Sequence, residues 1–271
     1  MQDVVGRVTG SIGFRMLVVM ALVVASLVAL MLVRATIHDR QMYRQAAVDG
    51  IAAVHAGALV LSGPVLLVPW EEGDTRGTWT FFPEHSALDG TVVPETGRRG
   101  LYEVRTYALH GTLDATFRVE LPGTPPGVTR RIGRPALAYG IADVRGLAGA
   151  PTLVVGGQAM TLEQGMGSRA GGGIHARLAD ASAGDVLAFD ARLEFVLGGT
   201  ETLSIAPLAR VAHVSLASAW PHPRFEGDFL PRTRTVDASG FRAQWEVSAL
   251  ASNAQAAFQA SEPRGLDAIG L

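Results

Sequence analysis

The densest collection of chemically useful side chains in this sequence is Trp220–Pro231, WPHPRFEGDFLP, where one histidine, two carboxylates and three aromatics lie among three prolines. Read as an acid–base site, it makes His222 the base and Glu226 or Asp228 its orienting partner or a metal ligand. The backbone favours a structural corner. Pro221 and Pro223 hold His222 extended, Gly227 supplies a bend, and Trp220, Phe225 and Phe229 are large enough to anchor a loop on a sheet. Rigid aromatics of this kind also lose little entropy on binding. Trp220, His222, Phe225, Glu226, Asp228 and Phe229 therefore form a candidate interaction loop.

Other chemistry is thinly represented. None of the seven histidines falls in an H-E-x-x-H pattern, and the chain has no cysteine, so thiolate nucleophiles, thiolate metal sites and disulfides are excluded. Every basic side chain is an arginine. That removes a lysine Schiff base, a Walker-type phosphate lysine and a Ser-x-x-Lys nucleophile. Gly167-Ser168-Arg169-Ala170-Gly171 lacks the spacing of a nucleophile elbow. His38 beside Asp39 is expected on a helix surface, and His213 at an outward strand position. No residue pattern specifies a cofactor or a metal. The formal net charge of -2, with arginines scattered singly or in pairs, argues against nucleic acid.

The elements that must carry these residues begin with Met16–Val33, MLVVMALVVASLVALMLV, which is uncharged and flanked by Arg15 and Arg34. At about 1.5 Å per residue it covers roughly 27 Å, close to a hydrocarbon core of about 30 Å, so residues 16–34 are expected to span the lipid bilayer once. A cleavable signal peptide needs a shorter apolar region and small residues at its end, whereas this run ends Leu30-Met31-Leu32-Val33. Cleavage there would instead release a soluble binding domain. Arginines on both flanks leave the topology open. Residues 35–57 continue as a stalk helix, with Tyr43, Ala47, Ile51 and Val54 at helical spacing and Gly57 ending the pattern.

Beyond residue 57 the period changes from 3.6 to 2. From Thr112 to Leu121 apolar and polar residues alternate strictly, and with Leu101–Leu109 this predicts a hairpin turning at Gly111. Further strands are predicted at Leu59–Val68, Trp79–Phe82, Ala136–Ala142, Thr152–Val155, Ile174–Leu178, Val186–Leu197, Thr202–Ile205, Arg210–Ala217 and Phe241–Ser248. Without intervening long helices they predict a mainly β, antiparallel sandwich-like body over residues 58–250. Gly156–Gly173, GGQAMTLEQGMGSRAGGG, is expected to be a mobile loop or the junction between two sheets. An alanine-rich helical turn and an irregular tail follow in residues 251–271.

Several stretches, taken in order, resemble the CreD family of bacterial inner-membrane proteins, known as cell-envelope integrity proteins. They are Asp39-Arg40-Gln41-Met42-Tyr43-Arg44, Leu61-Ser62-Gly63-Pro64, Val68-Pro69-Trp70, Phe82-Pro83-Glu84 and Arg99-Gly100-Leu101-Tyr102-Glu103-Val104. Ile141-Ala142-Asp143-Val144-Arg145-Gly146-Leu147, the Trp220–Pro231 cluster, and Gly240-Phe241 with Ala243 and Trp245 complete the series. The resemblance implies residues 1–15 in the cytoplasm, an inner-membrane anchor and a periplasmic β-domain with unknown envelope protein partners. It also implies a role in envelope stress linked to a two-component regulator and to β-lactam response. The family continues into further transmembrane helices that this sequence does not contain. The expected role is a non-enzymatic scaffold or binding protein. The alternative is an envelope enzyme or transporter component that uses the 220–231 loop, with Arg98, Arg99 or Arg145 gripping an anionic group.

Overall fold

The structure is a computed structural model that describes residues 12–52, 56–99 and 102–260. It divides into two compact units, Met1–Asp49 and Gly50–Leu271. Helix α1 (Ile12–Ala52) is continuous through the apolar run and the stalk. Within its segment Gly13–Tyr43 an 18-residue window reaches a mean hydropathy of 3.0 with none of its residues buried, and α1 is the one helix among the described residues long and apolar enough to cross a membrane. Alternative environments are poor. So many exposed Leu, Val and Met side chains on one helix are stable only in a medium as apolar as themselves.

The second unit is built from strands. In chain order they are β1 (Leu59–Glu72), β2 (Thr75–Phe81), β3 (His85–Arg99), β4 (Tyr102–Glu120), β5 (Arg130–Ile132), β6 (Ala136–Ile141), β7 (Thr152–Val155), β8 (Gln158–Met160), β9 (Glu163–Met166), β10 (Arg169–Arg177), β11 (Val186–Thr200), β12 (Leu203–Ala206), β13 (Val211–Ser218), β14 (Thr233–Asp237) and β15 (Gly240–Ser248), followed by helix α2 (Ala254–Ala260). One sheet runs β12-β1-β6-β10-β9, with β2 and β5 also paired to β1; the other runs β14-β15-β13-β3-β4-β11-β7-β8. Their facing sides share one core that includes Leu66, Val68, Leu137 and Tyr139 from the first sheet and Leu109, Phe117, Leu193 and Trp245 from the second. The mainly β, sandwich-like architecture expected from the sequence is present. Two pairings are parallel, β1 with β12 and β3 with β13, so the sheets are mostly rather than wholly antiparallel.

Burial explains the strand patterns. Along β11, Ala191, Leu193, Phe195 and Leu197 face the core while Arg192 and Glu194 face solvent, the alternation expected of a sheet with one wet side. Strand β1 is buried almost continuously from Leu59 to Val68 because both of its faces are covered. Behind it, Val65, Leu67, Ala138, Met166, Ala206 and Leu208 form a second core with Ala254 and Phe258 of α2.

Two expectations need correction. The hairpin at Gly111 does not form: Gly111 lies in line within β4, and the hairpin partner of β4 is β3, with Gly90 opposite Gly111. The Phe195 ring lies over Gly111 so closely that a Cβ there would come within 2.5 Å of it. The glycine is needed for packing, not for a turn. Likewise Gly156–Gly173 is not an unstructured loop, since it contains β8 and β9; it does join the two sheets, because β8 belongs to one and β9 to the other.

Candidate functional site

At the end of β13, the Trp220–Pro231 segment is fastened down by its aromatics. The Trp220 backbone N–H donates to Ser218 Oγ at 3.1 Å, and its indole N–H donates to the His222 carbonyl at 2.7 Å, which closes a tight bend around Pro221. The Arg105 guanidinium covers the Trp220 ring at 4.5 Å, and the His222 ring meets it edge-on at 6.2 Å. Phe225 packs edge-on against Phe241 and Trp245 at 5.6 and 5.7 Å, and the Trp245 indole donates to the Phe229 carbonyl at 3.1 Å. Gly227 turns the chain with φ +103°. The polar residues are arranged differently. His222, Glu226 and Asp228 are exposed, and Glu226 pairs with Arg224. Among the described residues no hydrogen bond or ion pair joins His222 to either carboxylate.

A second cluster is built on a single 3₁₀ turn, Val144–Gly146, which Asp143 caps. Its Oδ1 accepts the Arg145 backbone N–H at 3.1 Å and the Arg145 Nε at 2.9 Å. The other oxygen, Oδ2, accepts Arg145 Nη2 at 2.6 Å and the Gly57 backbone N–H at 3.2 Å. The Arg145 hydrogen bonds, with those from the two backbone amides, hold the Asp143 carboxyl below the usual carboxylate range although partial burial opposes them. Gly146 is buried where a Cβ would lie 2.3 Å from the Gly198 carbonyl oxygen and 2.9 Å from the Ala56 Cβ. Thr200 completes the clamp. Its hydroxyl donates to the Ala56 carbonyl at 2.7 Å and its N–H to the Gly57 carbonyl at 3.0 Å. Together these groups grip the chain where it enters the β-body.

The two clusters meet through one end of β4. The Arg105 side chain lies on Trp220, and the Arg105 carbonyl accepts the N–H of Glu201, next to Thr200. This end of the eight-stranded sheet is the candidate functional site. It combines a framed aromatic loop, a carboxylate-centred turn and the incoming chain. Of the arginines expected to grip an anion, Arg145 is engaged by Asp143, while Arg98 and Arg99 lie in register with Glu103 and Tyr102 near the end of the β3–β4 ribbon.

The sequence reading missed a polar concavity of about 620 Å³ on the solvent face of the same sheet, where Asp89, His110, Glu194 and Arg242 come together from four strands. Register brings them there. Asp89 lies opposite Thr112, which lies opposite Glu194, and His110 is one outward position further along β4. The alternation of β4 marked its outward residues, but β3 went unrecognised, so Asp89 had no assigned neighbour. Among the described residues no group of three or more His, Asp or Glu side chains is placed to hold a metal ion.

A family model described as Inner membrane protein CreD matches residues 11–268. The chain belongs to the CreD family. Inner membrane protein CreD of Escherichia coli (strain K12) is 33% identical over 256 residues, which cover 88% of this chain and 56% of the relative. The chain thus spans little more than half the length of that curated relative.

The remaining CreD motif positions occupy distinct structural places. Arg40, Gln41 and Tyr43 are exposed on α1, and Arg44 continues the same helix. Gly63 and Pro64 form a cis peptide at the irregularity that shifts the β1–β6 register. Gly63 has φ +106°, and a Cβ there would press on the Ala138 carbonyl oxygen at 3.1 Å, so glycine suits both the backbone and the space. Tyr102 pairs with Arg99 where the β3–β4 ribbon nears its tip, and Gly100 lies outside the described residues.

Proposed function

We propose that this chain is a membrane-anchored envelope integrity protein whose β-body lies in the periplasm and acts without catalysis, as a binding or scaffolding surface in envelope stress and β-lactam response. One observation carries the binding role. In Trp220–Pro231 the aromatics are built into the sheet while His222, Glu226 and Asp228 are held at the surface and not joined to one another. The acid–base reading has Glu226 or Asp228 orienting His222, and neither does so, whereas recognition is served by a rigid, exposed frame. The frame is what the corner provides. Support for the anchor comes from the apolar run in α1, and support for the envelope setting comes from membership of an inner-membrane family.

Two experiments test the reading. In a strain depending on this protein for β-lactam tolerance, alanine at His222 or at Asp228 removes one exposed contact and should weaken the phenotype only partly, while Trp220→Ala, which removes the frame, should weaken it most. Complete loss of the phenotype in folded His222→Ala and Asp228→Ala variants would overturn the non-catalytic role. Because the chain has no cysteine, Ser239→Cys provides a unique label site. Reaction with a membrane-impermeant maleimide in intact spheroplasts is the expected result, and protection until lysis would overturn the periplasmic placement.

A further inference from the structure

Across the solvent face of the eight-stranded sheet, the outward side chains change size from strand to strand. On the central strands they are short, Ser215 and Ala217 on β13 beside Asp89 and Thr91 on β3. Long ones flank them. Arg242 and Gln244 stand on β15 to one side, and Glu194 stands on β11 to the other. Short side chains between long ones leave a trough, bounded on the β11 side by residues 148–150. This is the concavity of about 620 Å³, within the roughly 300–1,000 Å³ of small-ligand sites. A second concavity of about 440 Å³ adjoins it and shares Asp89 and Ser215.

The charges on this face fall into two groups. Further along the strands, Arg192 pairs with Asp114 at 2.9 Å and Arg232 pairs with Glu246, so those rows are neutralised within the sheet. In the trough itself, Asp89, Glu194 and Arg242 have no ion pair or side-chain hydrogen bond among the described residues. Register sets their spacing. Asp89 lies beside Ser215, and Arg242 lies beside Ala217 on the far side of β13, two residues along. Two strand spacings of about 4.8 Å and two residue rises of about 3.4 Å put these Cα atoms about 12 Å apart. Glu194 is two strands from Asp89 in the other direction, across Thr112, or about 10 Å away.

An occupant matching this pattern is cationic at Asp89, anionic at Arg242 and polar between, where Thr91 and Ser215 offer hydroxyls. A peptide with both ends free meets those terms. Extended at about 3.3–3.6 Å per residue, three residues hold their ammonium and carboxylate about 10 Å apart. A sugar would be served by a flat ring to stack on, but the Phe195 ring of this lining is turned into the core. We propose that the trough binds short extended peptides, the ammonium end at Asp89, the carboxylate end at Arg242 and a basic first side chain toward Glu194. The Trp220–Pro231 loop lines none of it, so the two surfaces are separable.

Ligand-observed saturation-transfer NMR tests this on the full chain in detergent micelles, titrated with Lys-Ala-Ala. Saturable binding is expected. Acetylating the amino end or amidating the carboxyl end should each weaken it about fivefold, the upper scale of an exposed ion pair. Asp89→Asn should abolish the effect of acetylation and keep that of amidation, and Arg242→Gln should do the reverse. With Glu194→Gln, Lys-Ala-Ala and Ala-Ala-Ala should bind equally. All three side chains are exposed, so these substitutions leave the fold intact. Absence of saturation by about 10 mM peptide, equal binding of free and blocked peptides, or end effects that persist in the matching variants would overturn the site. Tighter binding of the neutral trisaccharide chitotriose would overturn it as well.

Discussion

Removing the Asp143 carboxylate tests whether the capped turn grips the incoming chain. Asp143→Ala deletes a cap worth about 1 kcal/mol and leaves the partly buried Gly57 N–H without its acceptor, a further loss of about 1 kcal/mol. The ion pair adds little, because the Arg145 side chain is 60% exposed. The expected cost is about 2 kcal/mol, or a fall in Tm of about 4–8 °C for a domain of this size. Asp143→Asn keeps an oxygen for one N–H and should cost about half as much. Intrinsic fluorescence during thermal unfolding in micelles reads this directly, since all four tryptophans, 70, 79, 220 and 245, lie in the β-body. The pH dependence adds a second constraint. The folded carboxyl titrates below its ordinary value, so its contribution is complete above the ordinary carboxylate range and fades as pH falls through the depressed value. The gap between wild type and Asp143→Ala should therefore narrow in acid, below about pH 4. A gap under about 0.5 kcal/mol at neutral pH, or one that widens in acid, would refute the clamp.

Three further outcomes follow from packing. Gly146→Ala forces a Cβ against the Gly198 carbonyl and Ala56, and should cost about 3 kcal/mol in a thermal melt; an unchanged Tm would show that the chain does not approach so closely. Tyr139 is fully buried with a hydroxyl that has no hydrogen-bond partner, and burial raises its pKa. Tyr139→Phe should therefore raise the unfolding free energy by about 1 kcal/mol, read as a higher urea midpoint with an unchanged slope, and a destabilised variant would reveal a bond to that hydroxyl. Phe225→Ala should cost about 2 kcal/mol because the ring is half-buried between Phe241 and Trp245, while Arg105→Ala should cost under about 1 kcal/mol yet expose Trp220 to acrylamide quenching. Unaltered quenching would mean that the guanidinium does not shield the indole.

Much of the architecture was readable along the chain. The uncharged run in α1 has no competing conformation in lipid, and the second half of β4 alternates so strictly that its wet and dry faces are unmistakable. The corner was also legible, because prolines and large aromatics at close spacing constrain the backbone whatever surrounds them. Strand β3 was not. Its sequence, HSALDGTVVPETGRR, mixes glycine and proline with apolar residues, and it is a strand because β4 and β13 pair with both of its edges.

What the sequence by itself determined was local: where the chain is apolar throughout, where its faces alternate, and where prolines stiffen it. Only the tertiary structure decided the matches between distant segments. Gly111 is a packing glycine because Phe195 arrives over it, and Asp143 is a clamp because Gly57, 86 residues away, points an N–H at it. Asp89 and Arg242 border one trough because β3, β13 and β15 lie side by side. Periodicity reports which side of an element is buried. It carries no information about which remote element does the burying, and that choice sets the chemistry of each of these sites.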